Sequence, residues 1–317
     1  MTQPTINVRR IAWISSVLIA GTLVIASFFI SMFGEDLHKY YMPFAKGCDT
    51  CGFNPYYARW FFVPLMILPN NEWAMPLWSM MVFAGMFWLI YRLDINPLVI
   101  IAFPMLGQYS LGQVDIFLCI GFYLMLKSRN PWIQGLGICF LAIKPQVTAL
   151  VIVGFIIGQK WSQLWKIVIP PAMMLLLSFL VFGIDWPVRW LSNTQALPPH
   201  VWRLAAGDTW RFALPFIWIP FLFEDRERRM LLSILMMALA SPVFGTYSYI
   251  VFILFYPKWW TIVLSYVWVV FTPIEPDFAI RFAWILPLVM IIHICYTNWD
   301  ESWWMRRRAK LAEQTMA

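Results

Sequence analysis

The chain has 317 residues, of which 61% are hydrophobic and 12% are charged, and its formal net charge is +7 at pH 7. This balance excludes an ordinary soluble domain, in which about a quarter of the residues are charged, and it is typical of a polytopic membrane protein. The excess of positive charge does not require a nucleic-acid partner, because membrane proteins concentrate Lys and Arg in their cytoplasmic loops.

The first predicted element is a membrane-spanning helix over 11–33, which at about 1.5 Å per residue is long enough to cross about 30 Å of hydrocarbon. Arg9 and Arg10 precede the apolar run, and positive charge at the start of a first span holds that end in the cytoplasm. Because no clear small-residue cleavage site follows the run, the sequence predicts a retained signal anchor.

Further apolar segments follow, and several are too short to cross the membrane alone. They lie at 72–91, 97–107, 115–126, 132–143, 146–159, 166–184, 211–223, 230–241, 247–257, 259–272 and 278–296. The predicted breaks are at Gly107–Gly112, Lys144-Pro145 and Ser241–Gly245, and non-helical backbone at membrane depth must be covered by protein or water. The sequence therefore predicts an all-α polytopic bundle of about 10–12 transmembrane or half-length helices.

The basic residues predict the orientation of this bundle. With the N-terminus inside, 15 of the 23 Lys and Arg residues fall on the cytoplasmic side, seven fall outside, and Lys144 lies in the membrane. This bias predicts that both termini are cytoplasmic. We therefore expect one transmembrane domain over 1–304 in the plasma membrane, extracytoplasmic loops at 34–60 and 184–210, and a basic cytoplasmic tail at 305–317 held at anionic lipid.

The first outer loop carries Asp36 directly after the first span. A partly dehydrated carboxylate at a membrane–water boundary can act as a general base toward a hydroxyl group. The alternative is an ordinary acidic side chain in a solvated loop, and the neighbouring Glu35 is a second candidate base. The same loop contains Cys48 and Cys51, which lack a second pair of ligands for zinc. Outside the membrane, this spacing favours a disulfide.

Five polar residues interrupt the apolar sequence between 106 and 146: Gln108, Gln113, Asp115, Lys144 and Gln146. Each such group costs about a few kcal/mol or more at bilayer depth unless it is paired or faces a wet cavity. These residues therefore mark a site. The members at 108–115 either cap the ends of a re-entrant hairpin or line a pocket for a sugar or an acceptor.

Lys144 also has two interpretations. A lysine can extend its ammonium group to the membrane interface, but Pro145 breaks the helix here and frees backbone groups, which makes a polar pocket plausible. A fixed ammonium group suits a phosphate or a pyrophosphate. Four further candidate anion contacts follow the outer end of the span at 166–184: Arg189, His200, Arg203 and Arg211.

Four patches of sequence carry a resemblance to a known family. They are Asp36 with Tyr40-Tyr41 and Asn54-Pro55-Tyr56-Tyr57; Leu111-Gly112-Gln113-Val114-Asp115; Gly135–Gln146, a glycine-containing helix that ends in Lys-Pro; and Ser241-Pro242 with Tyr247 and Tyr249. Taken in order, they resemble the polyprenyl-phosphate-dependent glycosyltransferases of the GT-C superfamily, and most nearly the integral-membrane mannosyltransferases of glycosyltransferase family 87.

The resemblance implies a GT-C-like fold and an inverting transfer of a mannose-like sugar from a polyprenyl phosphate to an extracytoplasmic lipid or glycan acceptor. It implies that Asp36 deprotonates the acceptor and that Lys144 and Gln113 line the donor site. Tyr40 and Tyr41 lie in the first patch and are candidates for substrate binding. No metal or nucleotide sugar is strictly required, although some GT-C enzymes use a divalent ion. We expect membrane lipids and protein subunits of a membrane complex as further partners.

Two departures from the family pattern keep other functions open. Asp115 stands where the family usually has Asn in Gly-Gln-x-Asn, and the chain is shorter than typical members. One alternative is a catalytically degenerate membrane subunit that docks in a larger complex through a Trp-rich surface. Another is a lipid or solute transporter, because broken helices with polar groups at mid-membrane also describe transporters.

Overall fold

A computed structural model describes residues 6–30, 33–195, 209–273 and 279–307. The described residues are organised in helices, together with one isolated bridge between Phe223 and Ser302. The α-helices, numbered in chain order, are α1 (Ile6–Ala26), α2 (Met42–Ala45), α3 (Val63–Met66), α4 (Ala74–Leu93), α5 (Phe103–Leu111), α6 (Ile116–Lys127), α7 (Pro131–Leu141), α8 (Pro145–Ile157), α9 (Trp161–Phe182), α10 (Trp186–Gln195), α11 (Thr209–Ala213), α12 (Arg226–Ala240), α13 (Ile250–Phe255), α14 (Trp259–Leu264) and α15 (Ile285–Thr297). The prediction of an all-α polytopic protein is confirmed.

Within the residues that the structure describes, four helices are long and apolar enough to cross a membrane: Val8–Ala26, Ala74–Leu93, Trp161–Phe182 and Ile280–Thr297. The most apolar windows of the first and third are only 17% buried, whereas that of the second is 56% buried. The first and third therefore lie at the periphery of the bundle, and α4 lies in its interior. The shorter apolar helices α6, α7 and α8 match the half-length helices expected from the sequence.

Two of the three predicted breaks lie where the sequence placed them. Helix α7 ends at Leu141 and α8 begins at Pro145, and α12 ends at Ala240 before a 3₁₀ turn over Thr246–Tyr249. The third break is narrower than predicted, because α5 continues through Gly107 and ends at Leu111. Gly112 follows with a φ of +70°, a left-handed conformation in which glycine carries no steric cost.

Several apolar segments predicted as spans are divided, among them those at 97–107, 211–223 and 259–272. The segment predicted at 211–223 contains α11 and two 3₁₀ turns, Leu214–Phe216 and Ile219–Leu222, because Pro215 and Pro220 cannot donate the hydrogen bonds that would continue a helix. The segment at 259–272 consists of α14 and a 3₁₀ turn over Val267–Phe271. Conversely, the two predicted outer loops contain helical structure, including a π-helix over Leu37–Tyr41 and the helix α10.

Close helix packing holds the middle of the bundle together. Helix α6 packs on α7, and α12 packs on α8 and α15. At the first of these contacts, a Cβ atom on Gly121 would come within 2.8 Å of the Gly137 carbonyl oxygen. Small residues allow such close backbone approach between helices in a membrane. This packing fixes the starts of α6 and α8, which carry the polar residues described next.

Candidate active site

A buried ion pair lies at the centre of the polar residues. The Lys144 Nζ atom lies 2.5 Å from Asp115 Oδ1, and the two side chains are 4% and 0% exposed. Asp115 immediately precedes α6 and Lys144 immediately precedes α8. A buried pair repays its loss of hydration only when further hydrogen bonds satisfy both groups, so the partners of each residue matter.

Asp115 gains those hydrogen bonds from two breaks in the helical structure. Its Oδ2 atom accepts from Gln108 Nε2 at 2.9 Å and from Ser248 Oγ at 2.7 Å. Its backbone N–H donates to Gln108 Oε1 at 3.2 Å. The carboxylate therefore joins the end of α5 to the 3₁₀ turn that follows α12.

Gln113 connects this ion pair to Asp36. Its Oε1 atom accepts from Lys144 Nζ at 2.9 Å and from the Tyr41 hydroxyl at 2.6 Å. Its Nε2 atom donates to Asp36 Oδ2, and its backbone carbonyl accepts from Trp78 Nε1 at 3.2 Å. The amide of one fully buried glutamine thus bridges a cation and a carboxylate.

Asp36 lies at the entrance to the π-helix Leu37–Tyr41, after the first membrane helix. Burial raises the pKa of its carboxyl group to about 6, partly opposed by the positive charge of Lys144 and by the hydrogen bond from Gln113; the negative charge of Glu35 adds to the rise. A carboxylate with a pKa near the working pH is suited to general base catalysis. In addition, π-helical turns are frequently found at functional sites.

Side chains of the segment 34–60 and of α8 support the turn that carries Lys144. Asn54 Nδ2 donates to the Ile143 carbonyl at 3.1 Å, and the Tyr57 hydroxyl donates to the Ala142 carbonyl at 3.0 Å. Thr148 Oγ1 donates to the Leu141 carbonyl at 2.6 Å. These side chains satisfy carbonyl groups that the end of α7 leaves without helical partners. The ammonium group of Lys144 therefore sits on a fixed backbone.

Two tyrosine rings complete the surroundings of the ammonium group. Lys144 Nζ lies 4.9 Å from the ring centroid of Tyr247 and 5.6 Å from that of Tyr41. Rings at this distance attract a cation through their quadrupoles. The site thus combines one cation, two carboxylates, two amides and aromatic faces, with one serine hydroxyl.

The structure brings together six of the residues selected from the sequence, namely Asp36, Tyr41, Gln108, Gln113, Asp115 and Lys144. Tyr40 instead packs against Phe53, with the ring centroids 5.3 Å apart. Gln146 is half-buried, and none of the hydrogen bonds in the described ranges joins it to these six residues. The substrate-binding roles expected for Tyr40 and Gln146 remain predictions.

The predicted outer cations lie apart from this cluster or outside the described residues. Arg211 is exposed and lies over the Trp210 ring. Arg189 pairs with Asp185 at 3.0 Å and with Asp49 at 3.2 Å. His200 and Arg203 fall in 196–208, outside the residues that the structure describes. Their expected anion contacts stay predictions.

Besides Thr148, sequence reasoning missed four side chains that hold the site. Ser248 could have been found, because it lies between Tyr247 and Tyr249 directly after a predicted break. Trp78 gave no signal, since an indole in a long apolar helix is ordinarily a packing residue. Asn54 and Tyr57 lie in the first resemblance patch, but their contacts with the turn before Lys144 cross about 90 residues of sequence.

A disulfide joins Cys48 and Cys51. Asp49 lies between them and pairs with Arg59 at 2.6 Å, and its backbone carbonyl accepts from Asn193 Nδ2 at 2.9 Å. The small closed turn therefore fastens α10 to the segment 34–60. No group of three or more His, Cys, Asp or Glu side chains in the described part of the chain is arranged to hold a metal ion.

A cavity of about 670 Å³ opens beside the segment that carries Asp36. Its lining includes the apolar side chains of Phe28, Phe33 and Met75 together with His38 and Lys46. Asn70, Asn71 and Glu72 add further hydrogen-bonding groups to the lining. The cavity thus offers both apolar and polar groups, as an amphipathic molecule requires.

Comparison with known proteins identifies one related family. The model for glycosyltransferase family 87 matches residues 53–238 of the chain, which is more than half of its length. The matched range contains Gln108, Gln113, Asp115 and Lys144, whereas Asp36 and Ser248 lie outside it. No curated protein and no solved structure gave a match.

Proposed function

Since this chain belongs to glycosyltransferase family 87, and is therefore a glycosyltransferase, we propose that it transfers a mannose-like sugar from a polyprenyl phosphate to an extracytoplasmic acceptor. The helices that could cross a membrane support a donor that is itself anchored in lipid. The acceptor in this proposal is a lipid or a glycan that presents a hydroxyl group at the outer surface of the plasma membrane.

The position of Asp36 carries the proposal. Its carboxyl group immediately precedes the π-helix that follows the first membrane helix in the chain, has a pKa raised to about 6 by burial, and has one oxygen bound to Gln113. It can therefore be ionised at neutral pH and still have a useful affinity for a proton. Glu35 is the less suitable base, because its carboxylate is exposed and binds Lys39 at 2.6 Å.

In the proposed reaction, Asp36 takes the proton of the acceptor hydroxyl while the acceptor oxygen bonds to the anomeric carbon of the sugar. The bond from that carbon to the phosphate oxygen breaks, and its electron pair leaves with the polyprenyl phosphate. Attack from the face opposite the leaving group inverts the configuration at the anomeric carbon. The proton on Asp36 is then released to solvent, which restores the base.

Lys144 is the cation that the proposal places beside the donor phosphate. Its ammonium group has three N–H bonds; it donates to Gln113 and forms an ion pair with Asp115. In this proposal, Lys144 stabilises the charge that develops on the leaving phosphate.

The cavity beside Asp36 supports an amphipathic acceptor. Its apolar side chains suit a lipid chain, and the groups at His38, Lys46 and Asn70 suit sugar or headgroup hydroxyls. Phe33 and His38 of the lining lie three and two residues from Asp36 in the chain. We assign the acceptor to this cavity within the proposal.

The proposal is tested by measuring sugar transfer in membranes that contain the full chain. Polyprenyl phosphates carrying radiolabelled mannose or other hexoses serve as donors, and a nucleotide-activated mannose is tested in parallel. We expect transfer from a polyprenyl phosphate, and we expect Asp36→Asn to lower the rate by at least about 100-fold, because the amide cannot accept the proton.

Glu35→Gln is the matched control, because it removes the neighbouring carboxylate and leaves Asp36 in place. We expect it to retain transfer within about threefold of the wild type. Full activity in Asp36→Asn would contradict the assignment of the base. Transfer from the nucleotide sugar alone would contradict the proposed donor, and absence of transfer from every donor would favour the non-catalytic subunit.

A further inference from the structure

We propose that Gln113 is a positioning residue of the transfer reaction, which sets which oxygen of Asp36 receives the proton, and that it is not a ligand of the donor. This inference rests on the proposed function, because it concerns the same base. It differs from the role that the family resemblance implies, in which Gln113 lines the donor site with Lys144.

The partners of the Gln113 side chain fix the orientation of its amide. The ammonium group of Lys144 is a donor with no acceptor capacity, so the atom that faces it at 2.9 Å must be the amide oxygen. Because that oxygen also contacts the Tyr41 hydroxyl at 2.6 Å, the hydroxyl must donate its proton. The NH₂ group is then the atom that faces Asp36.

This orientation distinguishes the two oxygens of Asp36. The NH₂ group of Gln113 can only donate, so Asp36 Oδ2 must present a lone pair to it. A proton taken from the acceptor is therefore held more favourably on Oδ1, because protonation of Oδ2 would weaken the oxygen that accepts from Gln113. The hydrogen bond also stabilises the ionised carboxylate, which is the form that accepts a proton.

The rest of the residue is held as firmly as its amide. Gln113 is fully buried, its backbone N–H donates to the Gln108 carbonyl at 2.9 Å, and its carbonyl accepts from Trp78. Gly112 before it adopts a φ of +70°. Rotation of the amide by 180° would place its NH₂ group against two donors, Lys144 and the Tyr41 hydroxyl. Because the backbone is held in place, the residue cannot shift to relieve that conflict.

The same contacts leave Gln113 little capacity for a donor molecule. Its oxygen has two lone pairs, and Lys144 and Tyr41 occupy both. One of its two N–H bonds points to Asp36. The residue therefore transmits the charge of Lys144 toward the base through a polarised amide.

The test is the pH profile of kcat/KM for Gln113→Glu, measured on the full chain in lipid nanodiscs with polyprenyl-phosphate mannose as the probe. The new carboxylate can accept from Lys144 and Tyr41, but it cannot donate to Asp36, and two adjacent carboxylates disfavour ionisation. In the wild type, kcat/KM should rise with pH through about 6, since Asp36 of the free protein must lose its proton.

For Gln113→Glu, we expect this rise to move to higher pH by about one unit or more, with kcat at neutral pH lower by about tenfold or more and the donor KM within about twofold. Other charged or titratable groups that act on Asp36, or respond to its charge, are Glu35, Lys39, Tyr41, Asp115, Lys144 and Tyr247. None of them is changed in this variant.

Gln134→Glu is the matched control, because Gln134 is also a buried glutamine but lies outside the cluster, where its amide donates to the Ser128 carbonyl. Its pH profile should match that of the wild type. If Gln113→Glu does not fold, Gln113→Met removes the same hydrogen bond without adding charge, and the rise should again move to higher pH.

A raised donor KM with an unmoved pH profile in the Gln113 variants would overturn the inference and assign the residue to donor binding. If Gln113→Glu and Gln113→Met both had the kinetics of the wild type, the inference would also be overturned. Failure of the proposed function is separate: in that case the wild type gives no transfer, or Asp36→Asn remains active.

Discussion

At the scale of single residues, the ion pair between Lys144 and Asp115 determines how the site responds to change. Both groups are buried and each is bound to further polar side chains. Removal of one charge leaves the other without compensation in a low-dielectric interior, whereas removal of both avoids that cost. The pair is therefore best tested as a unit.

Lys144→Met should lower the free energy of unfolding by about 3–5 kcal/mol, because the carboxylate of Asp115 is left buried and unpaired. The double variant Lys144→Met with Asp115→Asn should be more stable than Lys144→Met alone. Thermal unfolding in detergent gives the comparison. Lys127→Met is the control at the exposed pair with Glu227, and it should change stability by at most about 1 kcal/mol. Equal losses in Lys144→Met and Lys127→Met would contradict the account of the buried pair.

At the scale of elements, the site is built from helix ends and the turns between them. Gln113 and Asp115 lie between α5 and α6, Lys144 lies between α7 and α8, and Ser248 follows α12. In each turn, backbone polar groups form hydrogen bonds with side chains from other segments, because helix ends in a membrane must have their free backbone groups satisfied. The geometry of the turns is therefore as important as the identity of the polar residues.

Gly112→Ala tests this dependence. A Cβ atom at Gly112 would come within 2.6 Å of the Leu37 Cβ atom, in addition to the strain of a φ of +70°. We expect reduced thermal stability and a fall in transfer activity of about tenfold or more, because Leu37 adjoins Asp36 and a shift of about 1 Å is costly to catalysis.

Gly47→Ala provides the control for backbone strain alone. Gly47 has a φ of +109°, and no heavy atom lies within 4 Å of the position its Cβ would occupy. We expect a loss of stability with little loss of activity. The same loss of activity in both variants would show that the contact between Gly112 and Leu37 is not what matters.

Most of the helices and the central residues of the candidate site could be predicted from the sequence. The same physical reasons explain why other features could not. Polar residues in apolar sequence are costly, so Gln113, Asp115 and Lys144 stood out before any contact was known. Their pairing was not predictable, because Asp115 and Lys144 belong to different turns. Proline explains why the segment at 211–223 is divided, and this signal was present in the sequence at Pro215 and Pro220. Trp78 could not be recognised, since its bond to the Gln113 carbonyl depends on how α4 is rotated.

At the scale of the whole molecule, orientation decides where the reaction takes place. The distribution of Lys and Arg predicts that the segment carrying Asp36 faces the exterior. In that orientation the exposed Asp185 lies outside and Arg129 lies in the cytoplasm. The two positions can be compared with a thiol reagent that does not cross membranes.

We expect Asp185→Cys to react with a membrane-impermeant maleimide in intact cells, and Arg129→Cys to react only after permeabilisation. Both variants are made in a Cys295→Ala background, which is also the control, because Cys295 is a half-buried free thiol, whereas Cys119 and Cys139 are buried and Cys48 is bound to Cys51. The opposite labelling pattern would place Asp36 on the cytoplasmic side and contradict an extracytoplasmic acceptor.

The joining of distant turns at Asp115 has a consequence for biosynthesis. Asp36, Gln113, Asp115 and Lys144 emerge from the ribosome well before Ser248, which donates to the same carboxylate. Until the last of these segments is inserted, the early polar residues must be held by partial contacts, by the translocation machinery or by water. Nascent chains arrested before residue 248 should therefore be degraded faster than full-length chains, and the site should become complete only late in insertion.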